Sequence, residues 1–428
     1  MKYVFYITAA IQIPMFIITV YYTIISLFGI YKKKETEQFT PCKRFALIIA
    51  AHNEEMVIAN AVDSLRDLDY PKKLYDIFVI ADNCNDRTAN IAQMHGARVY
   101  ERFDKSQKGK GYALEWMFKR IFEMDSSYDA IAVFDADNLV SKNFLSEMNN
   151  KLCNGYNVVQ GFLDSKNPND SWITASYSIA FWTANRMGQL AKSNIGLSNQ
   201  IGGTGFCVST EILKKYGWGV TCLTEDLEFS CKLVLNGEKV GWAHNAVIYD
   251  EKPITLQQSW KQRKRWMQGF ADVADRFFFK LLYKGIKDFD FTALDCALYT
   301  IQPFIVIGLG LSTLLTLVQS VLNYPMNVFL IKFLLNSLFG IGDKLWNIIS
   351  FITLVYTPFA LLLDRKLGLR IMLWYVFYPF YILTWIPISI QGIINKNKKE
   401  WDHTIHTRVI SIDDIENEGL ENGKESLA

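Results

Sequence analysis

The chain opens with an uncharged, apolar run from Tyr3 to Tyr31, and Lys32–Lys34 follow at once. That run is longer than the roughly 20 apolar residues a membrane-crossing helix needs. A cleaved leader would have a shorter apolar core ending in small residues. The pattern therefore predicts a transmembrane helix over 1–31, kinked at Pro14, with the lysines on the cytoplasmic side. From 42 to 250 the texture changes. FALIIAAHNEE, YDIFVIADNCND and YDAIAVFDADN are short apolar runs that each end in a polar loop. Between them EEMVIANAVDSLRDL and KGYALEWMFKRIFEM carry a helical period. Strands alternating with helices predict a mostly parallel sheet with crossover helices. Ligands of such sheets gather at the carboxyl ends of the strands, where this chain puts its acidic residues.

Two segments then read as helices at a membrane surface. One is the aromatic-rich stretch 171–196. The other, within 251–285, carries Leu256, Trp260, Met267, Phe270 and Phe277 on one side. Gln262, Arg265 and Trp266 share a roughly opposite face, toward the soluble domain. Arg263 falls inside the apolar stripe, so it and Lys264 read as cations at the membrane surface. Within 290–395 the runs 292–321, 345–363 and 369–394 are apolar enough to span, and 326–342 is a weaker candidate. The basic NKNKKE after them predicts a cytoplasmic tail over 396–428, its end acidic and disordered. An even number of crossings then separates domain and tail. Four is the favoured count, although DRKLGLR at 364–370 would then face outward.

Composition adds mainly exclusions. Half of the 428 residues are hydrophobic and the formal net charge is only +2, which does not call for nucleic acid. Seven scattered cysteines without CxxC spacing fit reduced thiols in a cytosolic compartment. Five scattered histidines do not predict a histidine metal site.

Several polar clusters carry candidate chemistry, each with a plainer reading beside it. In VFDADN, Asp135 and Asp137 flank one residue at a strand end, where two carboxylates can share a hard divalent cation; alone, DxD is only a polar loop. Asp82 ends an earlier strand and is placed to accept from a nucleobase imide, or to form an Asx turn. Lys108 and Lys110 lie among glycines suited to phosphate, or to a flexible loop. Gly203, Thr204, Gly205 and Phe206 belong to QIGGTGF, whose glycines let backbone approach a bulky ligand. Thr224, Glu225 and Asp226 stand at a helix start, where carboxylates also serve as caps.

Taken in order, Asp82, Asp135–Asp137, Thr224–Glu225–Asp226 and Gln262-x-x-Arg265-Trp266 resemble the D, DxD, TED and QxxRW series of processive family-2 glycosyltransferases, which include cellulose, hyaluronan, chitin and poly-N-acetylglucosamine synthases. IIAAHNEE, KGKGYAL, DADN, GGTGF and QRKRWMQG are similar to the bacterial exopolysaccharide branch. The resemblance implies an α/β GT-A catalytic domain over 42–250, joined to interfacial amphipathic helices and an α-helical transmembrane region. It implies that Asp82 contacts uracil, that Lys110 touches the donor, and that Asp135 and Asp137 hold Mg²⁺ or Mn²⁺ on the diphosphate, Asp137 more directly. Asp226 would be the general base, with Glu225 and Thr224 beside it. Arg265 would pair with the departing diphosphate, Gln262 would hold a nearby hydroxyl, and Trp266 would stack on the acceptor sugar above Gly203, Thr204, Gly205 and Phe206. Trp401 and Thr404 in EWDHTIHTR match, with altered spacing, a segment that closes over the nucleotide in hyaluronan synthases, and Trp401 also reads as a juxtamembrane anchor.

The implied enzyme is a multi-pass plasma-membrane protein with a cytoplasmic catalytic domain. It polymerises a β-linked polysaccharide, by preference a cellulose-like or mixed 1,3;1,4 glucan from UDP-glucose, and passes it across the bilayer. Its partners are the UDP-sugar, the growing polysaccharide, the lipid bilayer and unspecified accessory secretion proteins. The alternatives are a poly-N-acetylglucosamine or other exopolysaccharide synthase, single-sugar transfer to a membrane lipid, and a non-catalytic transport subunit or scaffold.

Overall fold

The computed structural model describes residues 2–33, 38–125, 127–219, 222–322, 355–398, 406 and 408–415. The apolar runs become strands β1 (Phe45–Ala51), β2 (Tyr75–Asp82), β3 (Arg98–Arg102) and β4 (Ala130–Asp135), followed by β5 (Leu139–Val140), β6 (Val158–Ser165), β7 (Phe206–Ser209) and β8 (Val240–Asp250). They form one sheet in the order β3-β2-β1-β4-β7-β6-β8-β5. The first four strands are parallel, as the alternating pattern predicts. β7 runs antiparallel to both neighbours, β6 and β8 are parallel, and β5 is antiparallel to β8, so the sheet is mixed. Register pairs Ala51 with Ala81 and Ala50 with Asp135, which brings Asp82 and Asp135 to one edge of the sheet.

The helices of the α/β region and its approach are α1 (Lys2–Leu27), α2 (Ile58–Arg66), α3 (Thr88–Met94), α4 (Lys110–Phe122), α5 (Phe144–Cys153), α6 (Trp172–Ala184), α7 (Ala191–Asn194), α8 (Thr210–Tyr216) and α9 (Glu225–Leu235). A π-helical turn, Asn185–Leu190, joins α6 to α7. β1, β2 and β4 are apolar along both faces because both are covered. α2, α3 and α5 pack on Leu47, Ile49 and Phe134; α4, α8 and α9 pack on Ile48, Phe78 and Val133.

Beyond the sheet lie α10 (Leu256–Lys287), α11 (Phe291–Thr300), α12 (Gln302–Val321), α13 (Leu369–Tyr375) and α14 (Tyr378–Ile394). Thr255 and Gln258 form a capping box that fixes the start of α10. The apolar side of α10 does not lie bare, because α14 covers it. Gly392 abuts Met267, and Trp260 Nε1 donates to Gln391 Oε1 at 2.9 Å. Arg263 is accordingly not a surface cation. It is 0% exposed, lies over the rings of Tyr381 (4.2 Å) and Trp385 (4.9 Å), and donates to Thr384 Oγ1 at 2.8 Å.

Two helical stretches, Thr8–Leu27 and Gln302–Gln319, are long and apolar enough to cross a membrane. They lie side by side, with Gln12 hydrogen-bonded to Thr316 (2.9 Å) and Gln319 (3.1 Å). The run 369–394 is a helix pair bent by 51°. Before the pair, Asp364 meets Arg186 (2.7 Å) and His244 (3.3 Å), and Lys366 meets Asp164 (2.6 Å). After it, Asn395 accepts from Gln268 Nε2 at 2.9 Å, and Lys396 pairs with Asp275. The 364–370 stretch therefore rests against the α/β domain, contrary to the outward placement that a four-crossing count requires. The weaker candidate 326–342 and the start of 345–363 lie outside the described residues, and 355–363 is helical.

The junction between α9 and α10 is made by a glycine. A Cβ at Gly269 would fall 2.3 Å from Thr224 Cγ2 and 2.4 Å from its Oγ1. Gly269→Ala should destabilise the protein by about 1–3 kcal/mol through this overlap, and adding Thr224→Gly should recover most of the loss. Thermal unfolding of both variants in detergent checks this; wild-type behaviour of Gly269→Ala alone would contradict the close contact.

Candidate active site

A cavity of about 1340 Å³ opens at the carboxyl edge of the sheet, between it and α10. Asp82, Lys110, Asp135, Asp137, Gly203, Thr204, Thr224, Glu225, Asp226, Gln262, Arg265 and Trp266 all line it. Asp82 and Asp135 come from strand ends and Asp137 from the turn after β4; helix starts supply Lys110 and Thr224–Asp226, the loop before β7 supplies Gly203 and Thr204, and the interior of α10 supplies Gln262, Arg265 and Trp266. Two expected residues are absent from its walls. Gly205 faces Ile248, and Phe206 is buried in the sheet core, stacked on Trp218 with ring centroids 5.8 Å apart. The chain turns into β7 at Phe206, so the glycine motif presents only its first half to the cavity. Trp401 and Thr404 lie outside the described residues.

At one end Asp82 is nearly buried and its Oδ1 accepts from Arg102 Nη1 at 2.6 Å. Lys110, the first residue of α4, pairs with Asp135 and donates to the carbonyl of Gly203 at 2.8 Å. Gly109 ahead of it takes φ +114°, a region open to glycine, and lets the loop turn into the helix there. The backbone N–H of Asp135 donates to Asn138 Oδ1 and Thr204 Oγ1, both at 3.0 Å, which fixes the DxD turn.

The two DxD carboxylates differ. Asp135 keeps 40% of its side chain accessible, whereas Asp137 is buried, its Oδ2 accepting from the Glu251 N–H at 2.8 Å and its Oδ1 from Asn138 at 3.2 Å. Asp135 is thus the more open of the pair, and Asp137, expected as the more direct ligand, is the more enclosed. Burial works against the charge of Asp137, yet His406, Lys166 and the Glu251 N–H hold its pKa below the ordinary carboxylate value. Among the described residues no third His, Cys, Asp or Glu closes a metal cluster around them. Two hard carboxylates without a full protein shell suit a Mg²⁺ or Mn²⁺ ion that completes its coordination on a ligand's phosphate oxygens.

At the centre, burial raises the pKa of Glu225, reinforced by the charge of Asp226. Burial also raises that of Asp226, against the pull of the Leu227 N–H and Lys110. A carboxylate held in this way is a better proton acceptor than an exposed one. Gly203 takes φ +81° and approaches Asp226 so closely that a Cβ there would lie 3.4 Å from Oδ2. On the far wall, Gln262 Oε1 accepts from Tyr177 Oη at 2.8 Å, and Trp266 packs against Tyr177 and Phe181 of α6, with centroids 6.1 and 6.2 Å away.

The most informative residue absent from the sequence reading is His406. It lines the cavity, bonds Glu54 at 3.1 Å, and belongs to a segment that Arg408 ties to Asp170 and to the carboxylate of Glu251. Burial disfavours its charge, but Asp137 and Glu54 outweigh that and lift it to about 10. The only signal was its position two residues beyond Thr404.

Residues 41–269 match the family model described as "Glycosyltransferase like family 2". The chain is 29% identical over 265 residues to the Bacillus subtilis protein named "Probable glycosyltransferase YdaM", covering 59% of this chain and 62% of that one. It is 28% identical over 243 residues to the beta-monoglucosyldiacylglycerol synthase of Synechocystis, covering 54% of this chain and 48% of that one. It is also 28% identical over 257 residues to the poly-beta-1,6-N-acetyl-D-glucosamine synthase of Staphylococcus aureus, 55% of this chain and 56% of that one. The chain thus spans about half to three-fifths of the length of these relatives. In fold it is similar to a mannosyltransferase from Pyrobaculum calidifontis in complex with GDP-Man and Mn²⁺, with a TM-score of 0.59 at 14% identity over 92% of this chain and all of that one. With the family model covering more than half of its length, this chain belongs to the family-2 glycosyltransferases, on a GT-A-like mixed sheet.

Proposed function

We propose that this glycosyltransferase moves a hexose from a UDP-sugar, with inversion, onto an acceptor hydroxyl delivered from the side of its apolar helices. The observation that carries the reading is the single cavity in which the strand-end carboxylates, the Glu225–Asp226 pair and the Arg265–Trp266 face of α10 meet. Asp82 and the N-terminus of α4 receive the nucleotide end, with Lys110 beside the phosphates. Asp135 and Asp137 would hold Mg²⁺ or Mn²⁺, which when bound supplies positive charge to the diphosphate. Arg265 offers a guanidinium to the same phosphates. Asp226, ionised, takes the proton of the acceptor hydroxyl as its oxygen attacks the anomeric carbon. The bond from that carbon to the diphosphate breaks, and UDP departs. One displacement inverts the centre, so an α-linked donor yields a β-linked product.

Two acceptors follow from different walls of the cavity. Trp266, with Tyr177 and Phe181 behind it, is a platform for a sugar ring. It supports the processive reading, in which a β-glucan grows from UDP-glucose and passes through the membrane helices. Val306, Ile382 and Ile386 line the far end of the same cavity and support transfer to a lipid. Both readings find a counterpart among the relatives, one named for a glycolipid and one for a polysaccharide. Lys32 reaches Asn245 at 2.5 Å, so the basic end of α1 lies on the α/β side. That contact supports a membrane-bound enzyme with a cytoplasmic catalytic domain.

Asp226→Asn should lower transfer by at least about 100-fold while leaving UDP affinity within a few-fold of wild type, measured by UDP release and by UDP titration. Parallel loss of both would contradict the base role. The acidity of Asp226 gives a second expectation. Its raised pKa means that the ionised, active form is lost at a higher pH than for an ordinary aspartate at about 3.9. The acid limb of kcat/KM should therefore lie above that value, and Lys110→Met should move it higher still, because the Lys110 charge favours ionised Asp226. A limb at the ordinary aspartate value would exclude Asp226 as the titrating base.

A further inference from the structure

The cavity does not end at the catalytic carboxylates. Past Trp266 it continues as an arm walled by Val306, Gly310 and Thr313 of α12 and by Ile382, Leu383, Trp385 and Ile386 of α14. Of these residues only Thr313 and Trp385 carry a side-chain polar group. A sugar chain threaded along this wall would surrender water hydrogen bonds and find almost none in return, which opposes its entry. An alkyl chain loses nothing there and gains by leaving water.

The arm is also open at the side. Ile382 and Leu383 line it yet remain 43% and 60% exposed, and Thr313 opposite them is exposed as well. An enclosed polymer conduit would have these residues buried; a slot that admits a chain laterally leaves them bare. α12 and α14 meet closely where Gly310 faces Ile386, since a Cβ there would fall 2.6 Å from its Cδ1.

The level of the slot relative to a bilayer follows from what surrounds it. The α13–α14 pair is tied at its start to the α/β domain, through Asp364 and Lys366, and at its end to α10, through Asn395 and Lys396. Its outward residues Leu373, Val376 and Phe380 are exposed. At the far end of α10, Phe279, Tyr283 and Phe289 are exposed in the same way. Apolar side chains bare at both flanks mark the depth at which hydrocarbon replaces water. The slot mouth is on α14 itself, so it opens into the outer acyl region just beneath the catalytic carboxylates.

We infer that the bent α13–α14 pair lies at the membrane interface, and that the slot between α12 and α14 seats the alkyl chain of a lipid acceptor whose hydroxyl headgroup reaches Asp226. This rests on the reading of the cavity as the site of transfer from a UDP-sugar. Trp266 then lies at the turn between headgroup and chain, serving as the platform for the headgroup.

The test uses the full chain in phosphatidylcholine nanodiscs, with radiolabelled UDP-glucose and a series of butyl, octyl, dodecyl and hexadecyl glycerol ethers as acceptors. UDP release and organic-extractable label are read together. KM for the acceptor should fall by roughly tenfold or more from butyl to dodecyl, with label entering the organic phase. Thr313→Trp, at an exposed position of the wall where a larger side chain narrows the slot, should abolish that dependence on chain length. Leu383→Gln, at the exposed mouth where folding is not at stake, should weaken it. A KM independent of chain length, or label accumulating in a high-mass glycanase-sensitive product without any glycerol ether, would overturn the lipid inference while leaving sugar transfer intact. No UDP release with any acceptor would overturn both the inference and the donor reading beneath it.

Discussion

Everything that this site does depends on the contact between Thr224 and Gly269. The α/β sheet can gather carboxylates at its edge by itself, but Arg265 and Trp266 belong to a helix that the sheet does not hold. The missing side chain at Gly269 lets the start of α9 sit directly on α10. That sets Glu225 and Asp226 near the polar face of α10, so that the proposed base and the proposed diphosphate partner share one cavity. Displacements near 1 Å at such a junction are enough to uncouple reacting groups.

Charge balance explains why the cavity can hold so many carboxylates at once. Asp82 is paired with Arg102, Asp135 with Lys110, and Asp137 lies beside the His406 and Lys166 charges. Among the described residues Glu225 and Asp226 have no comparably close cation, and burial raises both pKa values. The site thus separates carboxylates that face cations from a buried pair whose pKa values are raised, the arrangement that the proposed proton transfer needs.

Much of this was legible in the sequence because it is local. Apolar runs ending in Asp82 and Asp135 gave the strand ends, and the spacing of Gln262, Arg265 and Trp266 put them on one helix face. What failed was long-range. Arg263 sits in an apolar stripe and reads as a snorkelling cation unless one knows that Tyr381 and Trp385, more than a hundred residues later, close over it. The 369–394 run has the composition of a span, and composition carries no information about the ties that hold its start to the α/β domain and its end to α10. His406 reaches the DxD region only through chain folding. Phe206 failed for a local reason: β7 begins there, and strand alternation turns its ring into the core.

The central claim is that Asp226 drives one in-line displacement across this cavity. The anomeric configuration of the product tests it most directly, read from the H1–H2 coupling in the proton NMR spectrum after transfer from an α-linked UDP-sugar. The account predicts a β-linkage, whatever the acceptor. An α-linkage would mean that configuration is retained, and a single base opposite the leaving diphosphate would not explain the chemistry.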